Sequence, residues 1–142
     1  TVMKNIYAVA AGICRGLGHG DNLIAVLIAN AAQEMEHFLQ ECVPAAGRRL
    51  SDYVYLGDLL VTCYSQHSRN RTFGNMIGMG YNVKEAQMEM KMIAEGYYAV
   101  ACVEKIRKAK QIEMPIEETV YSILYRRSLP SDAIDKLLKR LK

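Results

Sequence analysis

The sequence predicts an all-α fold, because helix-forming patterns with caps and breakers recur along the chain. A second observation supports this class: no alternating strand pattern and no Asn-Gly hairpin occurs anywhere. At 142 residues the chain is long enough for one domain with a substantial core and too short for two comfortable ones. We therefore expect one domain over residues 1–142, built from seven or eight helices around a central buried helix.

The first helix is predicted over residues 2–17, where the apolar residues recur with helical spacing. Gly12 and Gly16 are four residues apart on one face, which permits close approach of a neighbouring helix. The Gly18-His19-Gly20 segment then breaks this helix.

The second helix is predicted from a cap at Asp21 or Asn22 to about Cys42. Residues 23–32 are apolar on nearly every side, a pattern that favours burial all round. We expect this second helix to be the central buried one.

The remaining helices are indicated by their start and stop signals. Two short helices are predicted over residues 57–64 and 69–77. Asn82 caps a short helix that ends near residue 90, and a long helix follows over residues 94–110. Pro115 and Pro130 each begin a further helix at its first turn.

Composition excludes several classes of function. The net charge is +3 with both signs interleaved, so a nucleic-acid binder is not expected. The longest apolar stretch is roughly half of what a membrane crossing requires. No pattern of a signal peptide is seen at the start, and we expect a cytoplasmic protein. The four cysteines form no Cys-x-x-Cys pair and are expected to be buried thiols.

One pair of residues has the spacing of a metal half-site, but we do not expect it to bind a metal. Glu34 and His37 have the i, i+3 spacing of a di-iron half-site, but the second copy that such sites need is missing. We expect no metal.

The segment Ser68-Arg69-Asn70-Arg71 opens a predicted helix and carries the clearest functional signal. A helix start presents unpaired N–H groups and the positive end of the helix dipole, and an Arg fork adds paired donors. This arrangement suits the phosphate ester of a small molecule. The alternative interpretation is a solvated basic face or a simple helix cap.

Lys4 is the second candidate, because it stands at the start of a helix whose remaining face is apolar. Burial and the positive helix end both favour the neutral amine, which can exchange a proton during catalysis. A surface lysine that extends into solvent is the alternative. Asp58 and Thr62 share one helix face and can point at the same ligand.

The chain offers no dinucleotide cradle of its own. The glycines of residues 16–20 lie between helices, whereas a Gly-x-Gly-x-x-Gly turn that binds a dinucleotide follows a strand. A complete nicotinamide site is therefore not expected.

Several short motifs, spread over almost the full length, belong together in order and spacing. They are Met3-Lys4-Asn5-Ile6, Gly20-Asp21-Asn22, Leu56-Gly57-Asp58-Leu59, Thr62-Cys63, Ser65 to Arg71, Ala94-Glu95-Gly96 and Met114-Pro115-Ile116. In these motifs the chain resembles the C-terminal domain of NAD(P)-dependent glycerol-3-phosphate dehydrogenases. The resemblance implies a helical domain of the 6-phosphogluconate dehydrogenase C-terminal-like type.

The resemblance also implies roles for individual residues. Lys4 matches the family's proton acceptor and also binds substrate. The other matched substrate contacts are Asn5, Asp58, Thr62, Ser68, Arg69 and Asn70. Cofactor contacts are implied at Arg69, Ile93 and Glu95.

The reaction implied is hydride transfer between a nicotinamide and C2 of glycerol 3-phosphate or dihydroxyacetone phosphate. NAD or NADP would be bound mainly by an N-terminal Rossmann domain, which is absent from these 142 residues. That domain is one expected partner and a second copy of the chain is another. The fragment alone is expected to be inactive.

Two other hypotheses stand beside this one. A catalytically silent helical module could bind an anion or a partner protein. A dehydrogenase of the same fold could act on a hydroxyacid, although residues 68–71 favour a phosphorylated substrate over one with only a carboxylate.

Overall fold

The computed structural model describes residues 2–42, 68–91 and 94–141. Within these ranges the chain forms seven helices and no strand, which confirms the all-α prediction. The helices are α1 (Val2–Gly16), α2 (Asp21–Cys42), α3 (Arg69–Gly78), α4 (Val83–Met90), α5 (Glu95–Lys110), α6 (Pro115–Tyr125) and α7 (Pro130–Arg140). The helix predicted over residues 57–64 lies outside the described residues.

The central buried helix is α1, and the prediction that assigned this place to the second helix is wrong. Every residue from Ile6 to Cys14 is buried, and α2, α3, α5 and α6 all pack against α1. In contrast, α2 packs along one face and leaves Val26 44% exposed. Several of the apolar residues of α2 are alanines. Ala25 and Ala29 are exposed, and their small side chains place little apolar surface in solvent.

Close contact between α1 and α3 depends on glycine, as predicted for Gly12 and Gly16. A Cβ on Gly12 would lie 2.8 Å from the backbone nitrogen of Asn75, and one on Gly16 would lie 3.0 Å from the Cα of Gly78. Such separations are below ordinary van der Waals contact, so any larger residue would push the helices apart.

The register of this contact shows that the two helices run in the same direction. Gly74 lies against the backbone of Val9, and four residues later Gly78 lies against that of Ile13. Because both positions advance together along α1 and α3, the first turns of the two helices lie at the same end of the contact.

Local chemistry sets the helix ends of the second half. Asn82 and Glu85 form a reciprocal capping box at the start of α4, with bonds of 2.8 and 3.0 Å. Gln111 adopts a left-handed conformation that ends α5. Pro115 and Pro130 occupy the first positions of α6 and α7, as predicted.

The cysteines differ in their burial. Cys14 is buried as expected, whereas Cys102 is exposed on the outer side of α5, so a general burial of the cysteines is wrong. Cys63 lies outside the described residues. None of the described helices has the length and apolarity needed to cross a membrane.

Candidate functional site

The start of α1 places Lys4 and Asn5 in its first turn. Both side chains are half-buried, between the fully buried body of the helix and the surface. Lys4 takes part in at least one interaction and is not free. The Nδ2 of Asn5 donates a 3.3 Å hydrogen bond to Oε2 of Glu95, at the start of α5.

The start of α3 contains three predicted site residues, which differ in burial and in hydrogen bonding. Ser68 is the N-cap, and its hydroxyl oxygen accepts a 3.3 Å hydrogen bond from the N–H of Arg71. Arg69 is exposed, and it has no hydrogen-bond or ion-pair partner among the residues that the structure describes. Asn70 is 8% exposed and points inward.

The start of α5 takes its cap from another helix. Ala94, the N-cap residue, has no side-chain oxygen to offer the first turn. Instead, Oδ1 of Asn70 accepts a 2.7 Å hydrogen bond from the N–H of Gly96. Asn70 therefore joins α3 to α5 through a buried contact.

The first turns of α1, α3 and α5 thus meet at one place. Asn5 is joined to Glu95, Asn70 is joined to Gly96, and the backbone oxygen of Asn5 also lies against Gly96. Each helix start contributes the positive end of a dipole, so their meeting favours an anion. The structure brings together the predicted residues Lys4, Asn5, Ser68, Arg69, Asn70 and Glu95 in these three turns.

Three predicted site residues lie outside the described ranges, namely Asp58, Thr62 and Ile93. Gly96, in contrast, lies in the same cluster of helix starts but was not among the predicted site residues. The signal for it was a glycine in the first turn of a helix that lacks a capping side chain, since such a turn must find its acceptor elsewhere.

Glu34, half of the candidate metal pair, is used as a helix cap. It is 7% exposed, and its carboxylate accepts bonds from the N–H groups of Ile116 and Glu117, at 2.7 and 3.0 Å, and from the hydroxyl of Tyr7, at 2.9 Å. Burial raises the pKa of Glu34 to about 7, against the lowering effect of these three donors. No group of metal-ligating side chains is found in the described part of the chain.

A buried acid pair lies beside this cap. Glu117 is fully buried, and both its oxygens lack a hydrogen-bond partner, although Nε of Arg107 is 3.4 Å from Oε1. Glu104 is bound by Arg107 through bonds of 2.6 and 3.1 Å. Burial and the nearby Glu104 raise the pKa of Glu117, whereas Arg107 helps to keep Glu104 ionised.

Comparison with known families places this geometry in context. A family model described as "NAD-dependent glycerol-3-phosphate dehydrogenase C-terminus" matches residues 1–135. The chain is 40% identical over 137 residues to glycerol-3-phosphate dehydrogenase [NAD(P)+] 2 of Salinibacter ruber, and 42% identical over 136 residues to the Staphylococcus carnosus enzyme. Each match covers 96% of this chain and 40% of the relative.

A solved structure agrees in fold. The glycerol-3-phosphate dehydrogenase of Coxiella burnetii superposes with a TM-score of 0.90 at 36% identity, over 98% of this chain and 42% of that one. The chain thus spans about two fifths of the length of the relatives that it matches.

Proposed function

Because this chain belongs to the family of NAD-dependent glycerol-3-phosphate dehydrogenase C-terminal domains, we propose that it is the substrate-binding half of such an enzyme. The reaction is the interconversion of glycerol 3-phosphate and dihydroxyacetone phosphate with NAD or NADP. The observation that carries this proposal is the meeting of the first turns of α1, α3 and α5.

The start of α3 is proposed to hold the phosphate. Arg69 is exposed and has no partner among the described side chains, and it is the first residue of α3, whose first turn presents backbone N–H groups. A guanidinium and a helix start both favour a phosphate dianion. Asn70 adds a carboxamide whose oxygen is already bound, which leaves the NH₂ group as a donor.

Lys4 is proposed to manage the proton of the C2 oxygen. In the oxidative direction, its amine accepts the proton of the C2 hydroxyl as the C–H electron pair leaves with the hydride. In the reverse direction, its ammonium returns that proton to the carbonyl oxygen. Lys4 is in the first turn of α1 and Arg69 is in the first turn of α3. Because α1 and α3 run in the same direction, both residues are at the same end of the contact between these helices.

The residues of this domain fit one side of a nicotinamide nucleotide. When bound, that nucleotide supplies the hydride or accepts it. Arg69 is suited to one of its phosphates, because it is exposed and cationic, and Glu95 is an exposed acceptor at the start of α5. We propose that a separate Rossmann domain provides the main nucleotide site, because the described part of the chain contains no strand and no dinucleotide-binding turn.

The test is kinetic and uses the natural polypeptide that contains these residues. Lys4→Met should lower kcat for glycerol 3-phosphate oxidation by about 10²–10⁴, the usual contribution of a positioned proton acceptor. The KM for the nucleotide should stay unchanged, and added methylamine should restore part of the rate. An unchanged kcat would show that Lys4 is not the proton acceptor. Absence of any nucleotide-dependent oxidation of glycerol 3-phosphate in the unmodified protein would overturn the proposed activity.

A further inference from the structure

We propose that Gly96 is a positioning residue of the substrate site, because its backbone N–H fixes the orientation of the Asn70 carboxamide. This inference rests on the proposed function, since it concerns how Asn70 is presented to the phosphorylated substrate. Gly96 itself does not contact the substrate and acts through Asn70.

The orientation follows from the chemistry of a carboxamide. Its planar end carries one oxygen acceptor and one NH₂ donor on opposite sides, so a bond that fixes the oxygen also fixes where the NH₂ group points. Oδ1 of Asn70 is fixed by the 2.7 Å bond from Gly96. Burial of the side chain, at 8% exposed, restricts rotation further.

The other end of Asn70 is left available. Nδ2 has no hydrogen-bond partner among the described residues, yet it is not among the fully enclosed unpartnered atoms. A donor that is held rigidly and still reached from outside is suited to an anionic oxygen. Arg69, the neighbouring residue on α3, presents its cation at the same helix start.

Only glycine fits at position 96 without moving its surroundings. A Cβ there would lie 2.7 Å from Cγ2 of Val9, 2.8 Å from the backbone oxygen of Asn5 and 3.0 Å from Oδ1 of Asn70. The Val9 methyl can shift, but the Asn5 oxygen belongs to the backbone of the central helix. A side chain at position 96 would therefore displace the start of α5 from Asn70 and lengthen the bond that orients it.

The same segment is linked to a second predicted substrate contact. Glu95, adjacent to Gly96, accepts a hydrogen bond from Asn5 in the first turn of α1. The start of α5 is thus connected to both sides of the proposed site, and its position controls how Asn5 and Asn70 face each other.

The experiment measures kcat, both KM values and the unfolding temperature of the natural polypeptide and three variants. Gly96→Ala should raise the KM for glycerol 3-phosphate about tenfold or more, the usual loss for a hydrogen bond to a charged group, with the KM for the nucleotide within about twofold. Asn70→Asp should raise the same KM, because it lacks the NH₂ donor. A carboxylate oxygen still accepts from Gly96, so the start of α5 should stay in place, while burial of the added charge should lower the unfolding temperature.

The matched control is Gly16→Ala, at the far end of the α1–α3 contact. A Cβ there meets the backbone of Gly78 at 3.0 Å, so the variant loses stability by crowding the C-terminal end of α3, about two turns from Asn70. Its KM for glycerol 3-phosphate should remain unchanged. Turnover by the unmodified protein reports on the proposed function, whereas the KM of the variants reports on this inference.

Two results would overturn the inference. One is a Gly96→Ala variant that loses stability as Gly16→Ala does but keeps its KM for glycerol 3-phosphate, which would assign Gly96 to packing alone. The other is an unaltered KM in Asn70→Asp, which would make Asn70 a structural cap only.

Discussion

Glu34 accepts a hydrogen bond of 2.7 Å from the backbone N–H of Ile116, which lies 82 residues further along the chain. The bond joins the middle of α2 to the first turn of α6, and the hydroxyl of Tyr7 ties the same carboxylate to α1. One buried side chain thus satisfies donors from two other helices, and its loss should be felt throughout the core.

The first prediction concerns the stability of this cap. Glu34→Ala should lower the free energy of unfolding by about 3 kcal/mol or more, because three buried donors would lose their acceptor at about 1–3 kcal/mol each. Urea unfolding followed by circular dichroism measures this. Glu34→Gln, which keeps one acceptor oxygen, should cost less. The exposed neighbour Gln33 provides the control, and Gln33→Ala should stay within about 0.5 kcal/mol. Equal losses in the Ala and Gln variants would contradict the role of the acceptor oxygen.

The second prediction concerns pH and the buried acid Glu117. Its pKa is raised above the usual range, so the folded protein retains a proton that the unfolded chain releases. Its contribution to stability is therefore fully present below about pH 4.5 and is lost as pH rises through the folded pKa of about 9. The free energy of unfolding should fall between pH 7 and 9, and Glu34, whose pKa is about 7, adds to this fall only near the lower end of the range.

Glu117→Gln isolates this effect, because glutamine resembles the neutral acid and cannot titrate. The variant should show a flatter dependence of the free energy of unfolding on pH between 7 and 9. If the free energy of unfolding depends on pH as steeply in the variant as in the unmodified protein, another group releases the proton.

The third prediction concerns the contact between α1 and α3. Gly74→Ala should destabilise the fold by about 1–3 kcal/mol, because its Cβ would meet the backbone nitrogen of Ile13 at 3.0 Å. Gly20→Ala is the matched control, since no atom lies within 4 Å of a Cβ at that position. Thermal unfolding of the two variants compares them directly. A Gly74→Ala variant as stable as Gly20→Ala would show that the helices can separate without cost.

Sequence patterns were sufficient for most of the helices, because their ends depend on local chemistry. Asn82, Pro115 and Pro130 each act within one turn of their own position, and the helices begin where they indicate. The identity of the central helix was not accessible in this way. Burial depends on which other helices surround a segment, and the alanine-rich face of α2 is compatible with either core or surface.

The candidate site also contains residues that could be predicted from the sequence and one that could not. The residues of the Lys4 and Ser68–Asn70 segments could be predicted as candidates because charge and helix starts are visible in the sequence. The role that we propose for Gly96 could not be predicted, because it depends on Asn70, which lies 26 residues away. A pairing between distant residues that involves a backbone N–H leaves little trace in a single sequence.

We propose that the start of α3 binds the phosphate of glycerol 3-phosphate, and calorimetry measures this binding. Glycerol 3-phosphate is titrated into the natural polypeptide with saturating reduced nucleotide, which cannot accept a hydride from it, and glycerol is the ligand control. Arg69→Ala is the test variant. Lys105→Ala is the matched variant, because it removes an exposed charge ten residues into α5, about 15 Å from its start.

We expect saturable binding to the unmodified protein and to Lys105→Ala, at least tenfold weaker binding to Arg69→Ala, and no detectable binding of glycerol. Equal affinities of the unmodified protein and Arg69→Ala, or equal affinities for glycerol and glycerol 3-phosphate, would show that the start of α3 does not bind the phosphate.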